Sequence, residues 1–249
     1  MRAICLDQNG VRFKPKHPSP VPLSGEVLVD VIVAGICETD LQLAQGYMGF
    51  AGVLGHEFVG MATSGPFAGA RVVGEINCNC RSCPRCQSGL GNHCAHRTVV
   101  GIHEHDGAFA DQVAIPQTSL HPVPDSLSDD QAVLIEPLAA ALQIQQQIEL
   151  SNIQNAIVLG DGRLANLCAQ AISQQVKNIQ VVGKHELKLA RFRRLGIKTI
   201  SVKDLVCEKE FDLVVDCTGS VTGLPLALQL VRPRGTIVMK TTVAADHEV

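Results

Sequence analysis

Apolar and polar residues follow two different rhythms along this chain. Up to about residue 135 they form short alternating runs broken by Gly, Pro and Asn, the pattern of strands half-buried on one face. "EVLVDVIVAGIC" (26–37), "FVGMAT" (58–63), "ARVVGEI" (70–76) and "AFADQVAIP" (108–116) are the clearest. A series of this kind predicts a partly closed β domain. Beyond it, "SDDQAVLIEPLAAALQIQQQI" (128–148) opens with acidic residues and continues with helical periodicity, so one long helix is expected.

An alternation of strands and helices follows. Strands are expected at "NAIVLG", "NIQVVG", "TISV", "DLVVDCTG" and "GTIVMK", and helices at "RLANLCAQAISQQ", "HELKLARFRRLG" and "LPLALQLVRPRG". Apolar strands separated by single helices predict a doubly wound parallel sheet, because each crossover must return over one face. The reading is therefore an α/β chain with a β-rich first domain over residues 1–135 and a doubly wound α/β domain over 136–249. No repeat or low-complexity segment interrupts it.

Composition narrows the function. The chain has 249 residues, 46% of them apolar, with a formal charge of −3 and eight aromatic residues. No basic block offers a surface for nucleic acid. The N-terminus lacks the pattern of a signal peptide, and no apolar run approaches the ~20 residues that cross a bilayer. A cytoplasmic protein without nucleic-acid or membrane partners is expected. Clustered thiols in that compartment point to metal rather than to disulfides.

Five cysteines fall in "CNCRSCPRCQSGLGNHC" (78–94). Cys80, Cys83, Cys86 and Cys94 are spaced by three, three and eight, which lets four thiolates turn toward one centre and close a structural zinc site. Cys78 competes with Cys80 for the first position, and His93 adjoins the last. A second group, "GICETD" (35–40) and "GHEFVG" (55–60), offers Cys37, His56 and Glu57. Three protein donors with a position left open are the signature of a catalytic zinc. The "HEHDG" segment (103–107) reads as a solvated or substrate-side face, and "RFRRLG" (191–196) as a basic helix C-terminus.

"VLGDGRLA" (158–165) sets Gly160, Gly162 and Ala165 in a G-x-G-x-x-A turn between a strand and a helix, where backbone amides can approach a pyrophosphate. The next strand ends at Gly183, Lys184 and His185. No carboxylate is found there for a ribose 2′-hydroxyl, and the two basic residues could meet a 2′-phosphate, so NADP is favoured over NAD.

In this order the motifs resemble the zinc-dependent medium-chain dehydrogenases/reductases, over essentially the whole chain. The resemblance implies a GroES-like, partly closed β-barrel domain joined to a Rossmann domain, two zinc ions, and hydride transfer between an alcohol and a nicotinamide. It implies Cys37 and His56 as catalytic zinc ligands and Glu57 as an adjacent carboxylate able to enter the shell. Glu136 of "IEPLA" stands where sorbitol and threonine dehydrogenases place a glutamate ligand, so a secondary alcohol or polyol, or its carbonyl product, is the implied substrate. Thr39 matches the hydroxyl that binds the alcohol oxygen, Asp40 the carboxylate that orients a ligand histidine, and Thr218 joins the cofactor-binding set. Gln42 stands where alcohol dehydrogenases often carry a relay histidine. The family continues beyond "GTIVMKTTVAADHEV" with a further strand and a return segment, and its last strand commonly pairs between subunits. A homo-oligomer weakened at that edge is therefore expected. A shortened, catalytically weak zinc-binding relic is the alternative, and a cysteine-rich interaction module a more distant one.

Overall fold

The computed structural model describes residues 1–240 and Thr242. Thr241 and residues 243–249, part of the terminal stretch quoted above, lie outside the described residues. The chain divides into two compact units, with the boundary between Glu136 and Pro137.

In the first unit the strands are β1 (Ala3–Asp7), β2 (Gly10–Lys14), β3 (Glu26–Gly35), β4 (Gly52–Val53), β5 (Glu57–Ala62), β6 (Arg71–Gly74), β7 (Asn77–Cys78), β8 (Thr98–Val99), β9 (Gln112–Pro116) and β10 (Leu120–Pro122). They form a five-stranded sheet in the order β10-β6-β5-β3-β9, a three-stranded sheet β2-β1-β4 and a β7-β8 pair. Every pairing is antiparallel. The alternation seen in the sequence is used to fill one core, where Val27, Val29, Phe58, Val72, Val113 and Ile115 are buried together. The long strand β3 carries the chain from this core to the helix α1 (Glu38–Ala44), and β5 starts at Glu57. Both metal-capable segments are thus strand ends.

The expected helix over 128–148 is broken in two. A short turn of α2 (Pro84–Gln87) lies in the cysteine lobe; α3 (Asp129–Ala132) and α4 (Ile135–Gln147) follow in chain order. Ser128 caps α3 by accepting from the Gln131 N–H, with the Gln131 side chain reaching back, so this turn has its own start signal. Pro137, in the first turn of α4, lacks an amide hydrogen that no helix start requires.

The second unit runs β11 (Asn155–Leu159), α5 (Arg163–Ser173), β12 (Asn178–Gly183), α6 (Glu186–Arg194), β13 (Lys198–Ser201), β14 (Phe211–Asp216), α7 (Gly223–Leu230) and β15 (Val231–Met239). Its five strands are all parallel, in the order β13-β12-β11-β14-β15. Ala156 and Val158 of β11 face a core shared with α4, α5 and α6, whereas Ile157 and Leu159 face a core shared with α7. Both faces of the sheet are covered, as the near-continuous apolar strands predict. One expected boundary moves: the helix written as "LPLALQLVRPRG" ends at Leu230, and Val231 already begins β15. Pro233 cannot donate within a helix interior but is tolerated in a strand on the sheet's outer edge.

Candidate active site and metal centres

Ligand atoms of Cys37, His56 and Glu57 all lie within 4.8 Å of one another. Three local features bring them together. Cys37 follows β3 and is the N-cap of α1, while His56 and Glu57 sit at the start of β5, which pairs with β3 through Gly35 and Glu57. At that pair the Glu57 carboxylate lies so close to Gly35 that a Cβ there would fall 2.6 Å from Oε2. Gly35 is therefore the space the carboxylate occupies.

Asp40 ties the group together. It is only 3% exposed. Its Oδ2 accepts from the Cys37 N–H at 2.8 Å, its Oδ1 accepts from the Gly55 N–H at 3.3 Å, and Oδ1 stands 3.5 Å from His56 Nδ1. One buried carboxylate thus fixes the backbone beside two of the three donors. His56 is equally buried, and its Nδ1 has no hydrogen bond of normal length. Burial lowers the imidazole pKa, but the Asp40 carboxylate and the Cys37 sulfur outweigh it and carry His56 up to about 10. A pocket that draws positive charge this strongly, lined by sulfur, imidazole and carboxylate, fits a divalent cation such as zinc. With Nδ1 turned to Asp40, the other ring nitrogen is the one left for a metal.

Glu136 is the further ligand that the resemblance implies. It lies half-buried in the first turn of α4, and the converged donors are the other three. Thr39 is half-buried on α1, one residue from Asp40, and Gln42 donates from Nε2 to Glu38 Oε1 at 3.0 Å.

The four sulfurs of Cys80, Cys83, Cys86 and Cys94 form the second group. Four of the Sγ–Sγ separations are 3.5, 3.5, 3.8 and 4.0 Å. A tetrahedron with the usual zinc–sulfur bond length has edges of about 3.8 Å. Backbone amides also aim at the sulfurs: Cys83 N–H at Cys80, and Cys80 and His96 N–H at Cys94. Hydrogen bonds from Ser82 and Cys83 hold the Cys80 thiol down to about 5, while lost solvation and the neighbouring sulfurs push Cys86 up to about 12. Sulfurs this close resist ionising together unless a cation sits among them. These residues also fit zinc.

Cys78 is settled by its burial. It packs into the core with Phe58, Val100 and Leu120, where loss of solvation pushes its thiol up to about 11. His93 lies in a short 3-10 turn, and its carbonyl accepts from Arg85 at 3.0 Å. Neither belongs to the sulfur group.

In the second unit, β11, the Gly160–Ala165 turn and α5 follow as strand, turn and helix. Gly160 has φ +115°, and a Cβ on it would meet the Cys217 carbonyl oxygen at 2.6 Å. Gly162 is the N-cap of α5, and Ala165 is fully buried. Thr218 lies just past β14, where its N–H donates to Asp216 Oδ1 at 2.9 Å. At the end of β12, the view that no carboxylate is present needs correction. Asp161 from the glycine turn reaches across, and its Oδ2 accepts from the N–H groups of Lys184 and His185 at 2.8 and 2.7 Å.

The alcohol dehydrogenase GroES-like domain family matches residues 23–125. Sorbitol dehydrogenase of Halalkalibacterium halodurans is 28% identical over 94% of this chain and 75% of its own length. D-Altritol 5-dehydrogenase of Agrobacterium fabrum is 29% identical over 100% of this chain and 79% of its own. A zinc-binding dehydrogenase of Sinorhizobium meliloti 1021, solved with NADP bound, superposes with a TM-score of 0.84 at 26% identity, over 100% of this chain and 78% of that one. Over nearly its whole length the chain is similar to zinc-type medium-chain dehydrogenases. The first unit matches a GroES-like β domain and the second has the parallel sheet, covered on both faces, of a Rossmann domain. Within the dehydrogenase framework, Asp161 is the residue that sequence reasoning passed over; the acidic residue in "GDG" was its only trace.

Proposed function

We propose that the chain is a zinc-dependent oxidoreductase that moves hydride between a secondary alcohol or polyol and a nicotinamide cofactor. The observation that carries this reading is the convergence of Cys37, His56 and Glu57 within 4.8 Å, three donors with a position left for substrate. A zinc ion held there would supply a Lewis acid that polarises the substrate oxygen. Asp40 keeps the His56 ring turned and the Cys37 backbone fixed. Thr39 is the hydroxyl proposed to carry the alcohol proton outward. Gln42 cannot serve as a titrating relay, and its amide is held by Glu38.

Four cysteines are proposed to hold a second, structural zinc, giving two per chain. The glycine turn at Gly160 and Gly162, with Ala165, Gly183, Lys184, His185 and Thr218, is proposed to take the dinucleotide. The NADP expectation rested on Lys184 and His185, and Asp161 now lies against both, which favours the form without a 2′-phosphate. Relatives support either form, since NADP is bound in the Sinorhizobium meliloti protein and NADH in a dehydrogenase of Escherichia coli CFT073. Among the described residues no helix is long and apolar enough to cross a membrane. The many free thiols support a cytoplasmic site of action, and a homo-oligomer is part of the same proposal.

Elemental analysis and a polyol oxidation assay test this together. The expected result is zinc near two per chain, falling to near one in His56→Ala, with cofactor reduction by sorbitol-like polyols lost in that variant. Zinc that His56→Ala leaves unchanged would overturn the catalytic-site reading.

A further inference from the structure

Beyond β12 the chain gathers an unusual set of donors around one carboxylate. Asp161 Oδ2 accepts from Lys184 N–H at 2.8 Å and His185 N–H at 2.7 Å. The His185 ring Nδ1 lies 3.0 Å from the same oxygen, and Lys188 Nζ lies 3.7 Å from Oδ1. Two backbone amides, an imidazole and an ammonium at the start of a helix are the donors a phosphate group takes. Here the anion they hold belongs to the chain itself. The Asp161 side chain is 8% exposed. Gly183 makes the approach possible, since a Cβ on it would stand 2.6 Å from Asp161 Cβ and 2.7 Å from Oδ2. Burial raises the carboxyl pKa, but the hydrogen bonds from His185 and Lys184 outweigh it, so the group is held below its ordinary value and stays ionised.

We propose that Asp161 is the residue that selects between dinucleotides: its carboxylate fills the anion position at the end of β12 and so excludes a 2′-phosphate. This rests on reading the Gly160–Ala165 turn as a dinucleotide site. An incoming 2′-phosphate would need the same amides and would meet a fixed negative charge. A ribose with a free 2′-hydroxyl asks only for an acceptor, and a carboxylate has lone pairs beyond those already used on Oδ2. Lys184 and His185, which by themselves suggest NADP, are in this arrangement the partners of Asp161. The position that a carboxylate past the strand ordinarily fills is reached from the turn one strand earlier.

The test is a fluorescence titration of NADH and NADPH against the zinc-loaded full chain, its Asp161→Ser variant and its Asp161→Asn variant. Wild type is expected to bind NADH more tightly than NADPH. In Asp161→Ser the NADPH Kd should fall about tenfold or more while the NADH Kd stays within about threefold, because an anion position is vacated but the ribose loses a single acceptor. Asp161→Asn, which keeps size and removes charge, should shift the ratio in the same direction, and it carries the test if the serine variant fails to fold. An NADPH affinity unchanged in both variants, or equal losses for both dinucleotides, overturns the selection role and leaves the dinucleotide site standing. Failure of wild type to bind either dinucleotide overturns the dinucleotide site and this inference with it.

Discussion

The Asp40 carboxylate stands 3.5 Å from Nδ1 of His56, and both side chains are 3% exposed. A buried carboxylate beside a buried imidazole sets the ring's orientation and raises its basicity toward a cation on the other nitrogen. Asp40→Asn retains the shape but removes the charge, and its single carbonyl oxygen can accept only one of the two amide hydrogen bonds from Cys37 and Gly55. Zinc affinity at the Cys37–His56–Glu57 site should fall about ten- to a hundredfold, with the four-cysteine site unaffected. Competition with a graded series of chelators reads the two sites separately. Equal loss at both would mean Asp40 acts on the fold and not on the metal.

Gly35 and Glu57 give a second, steric test. A Cβ at residue 35 would fall 2.6 Å from Glu57 Oε2, inside any tolerable contact, and 3.3 Å from its Cβ. Gly35→Ala must therefore push the carboxylate away from Cys37 and His56. The expected outcome is loss of most turnover and weaker zinc binding, together with a stability cost of about 1–3 kcal/mol for overpacking. Pairing Gly35→Ala with Glu57→Asp, which withdraws the carboxylate by one methylene, should recover part of the stability in a denaturant titration. No recovery would place the clash elsewhere.

The two cysteines at the edge of the lobe should separate cleanly. Cys83 belongs to the sulfur group, whereas Cys78 packs among Phe58, Val100 and Leu120. Cys83→Ser should remove one zinc per chain. Cys78→Ser should leave zinc content intact and destabilise the first unit by about 1–3 kcal/mol, because a polar hydroxyl replaces an apolar thiol among core side chains. Zinc content by elemental analysis and thermal melts of both variants decide it. Loss of zinc in Cys78→Ser would restore it as a ligand.

These residues show what the sequence made legible. Strand identities in the second unit followed from near-continuous apolar runs, because both faces of such a strand are covered: Ala156 and Val158 face a different core from Ile157 and Leu159. The sulfur group followed from spacing, since the short links of a metal lobe leave few geometries. The long helix over 128–148 was misread because its apolar residues serve two separate cores. Ala132 and Val133 pack with Val59 and Val73, and Ala141 and Ile144 with the second unit's core, so the periodicity continues across a break. Cys78 and Cys80 are two apart, and only burial tells a core thiol from a ligand. Asp161 was overlooked for a different reason. A side chain that acts on the end of the neighbouring parallel strand leaves no local pattern there, because the pairing of β11 with β12 is what brings the two together.

Asp212 offers a pH-dependent test inside the second unit. It lies in β14, 7% exposed, and its Oδ2 accepts from the N–H groups of Gln154 and Asn155, each at 2.8 Å, with Arg232 paired to Oδ1. Burial raises the carboxyl pKa, but those backbone hydrogen bonds and the Arg232 charge outweigh it, so the folded value lies below the ordinary one. A depressed folded pKa means the contribution is complete above the unfolded value of about 3.9 and is lost as pH falls through the lower folded value. Asp212→Asn should accordingly be less stable than wild type by a constant margin from neutral pH down to about 5, and the margin should close below about pH 4. Denaturant midpoints measured across that range check it. A margin that stays constant into acid would mean that the side chain's shape, not its charge, holds the Gln154–Asn155 turn against β14.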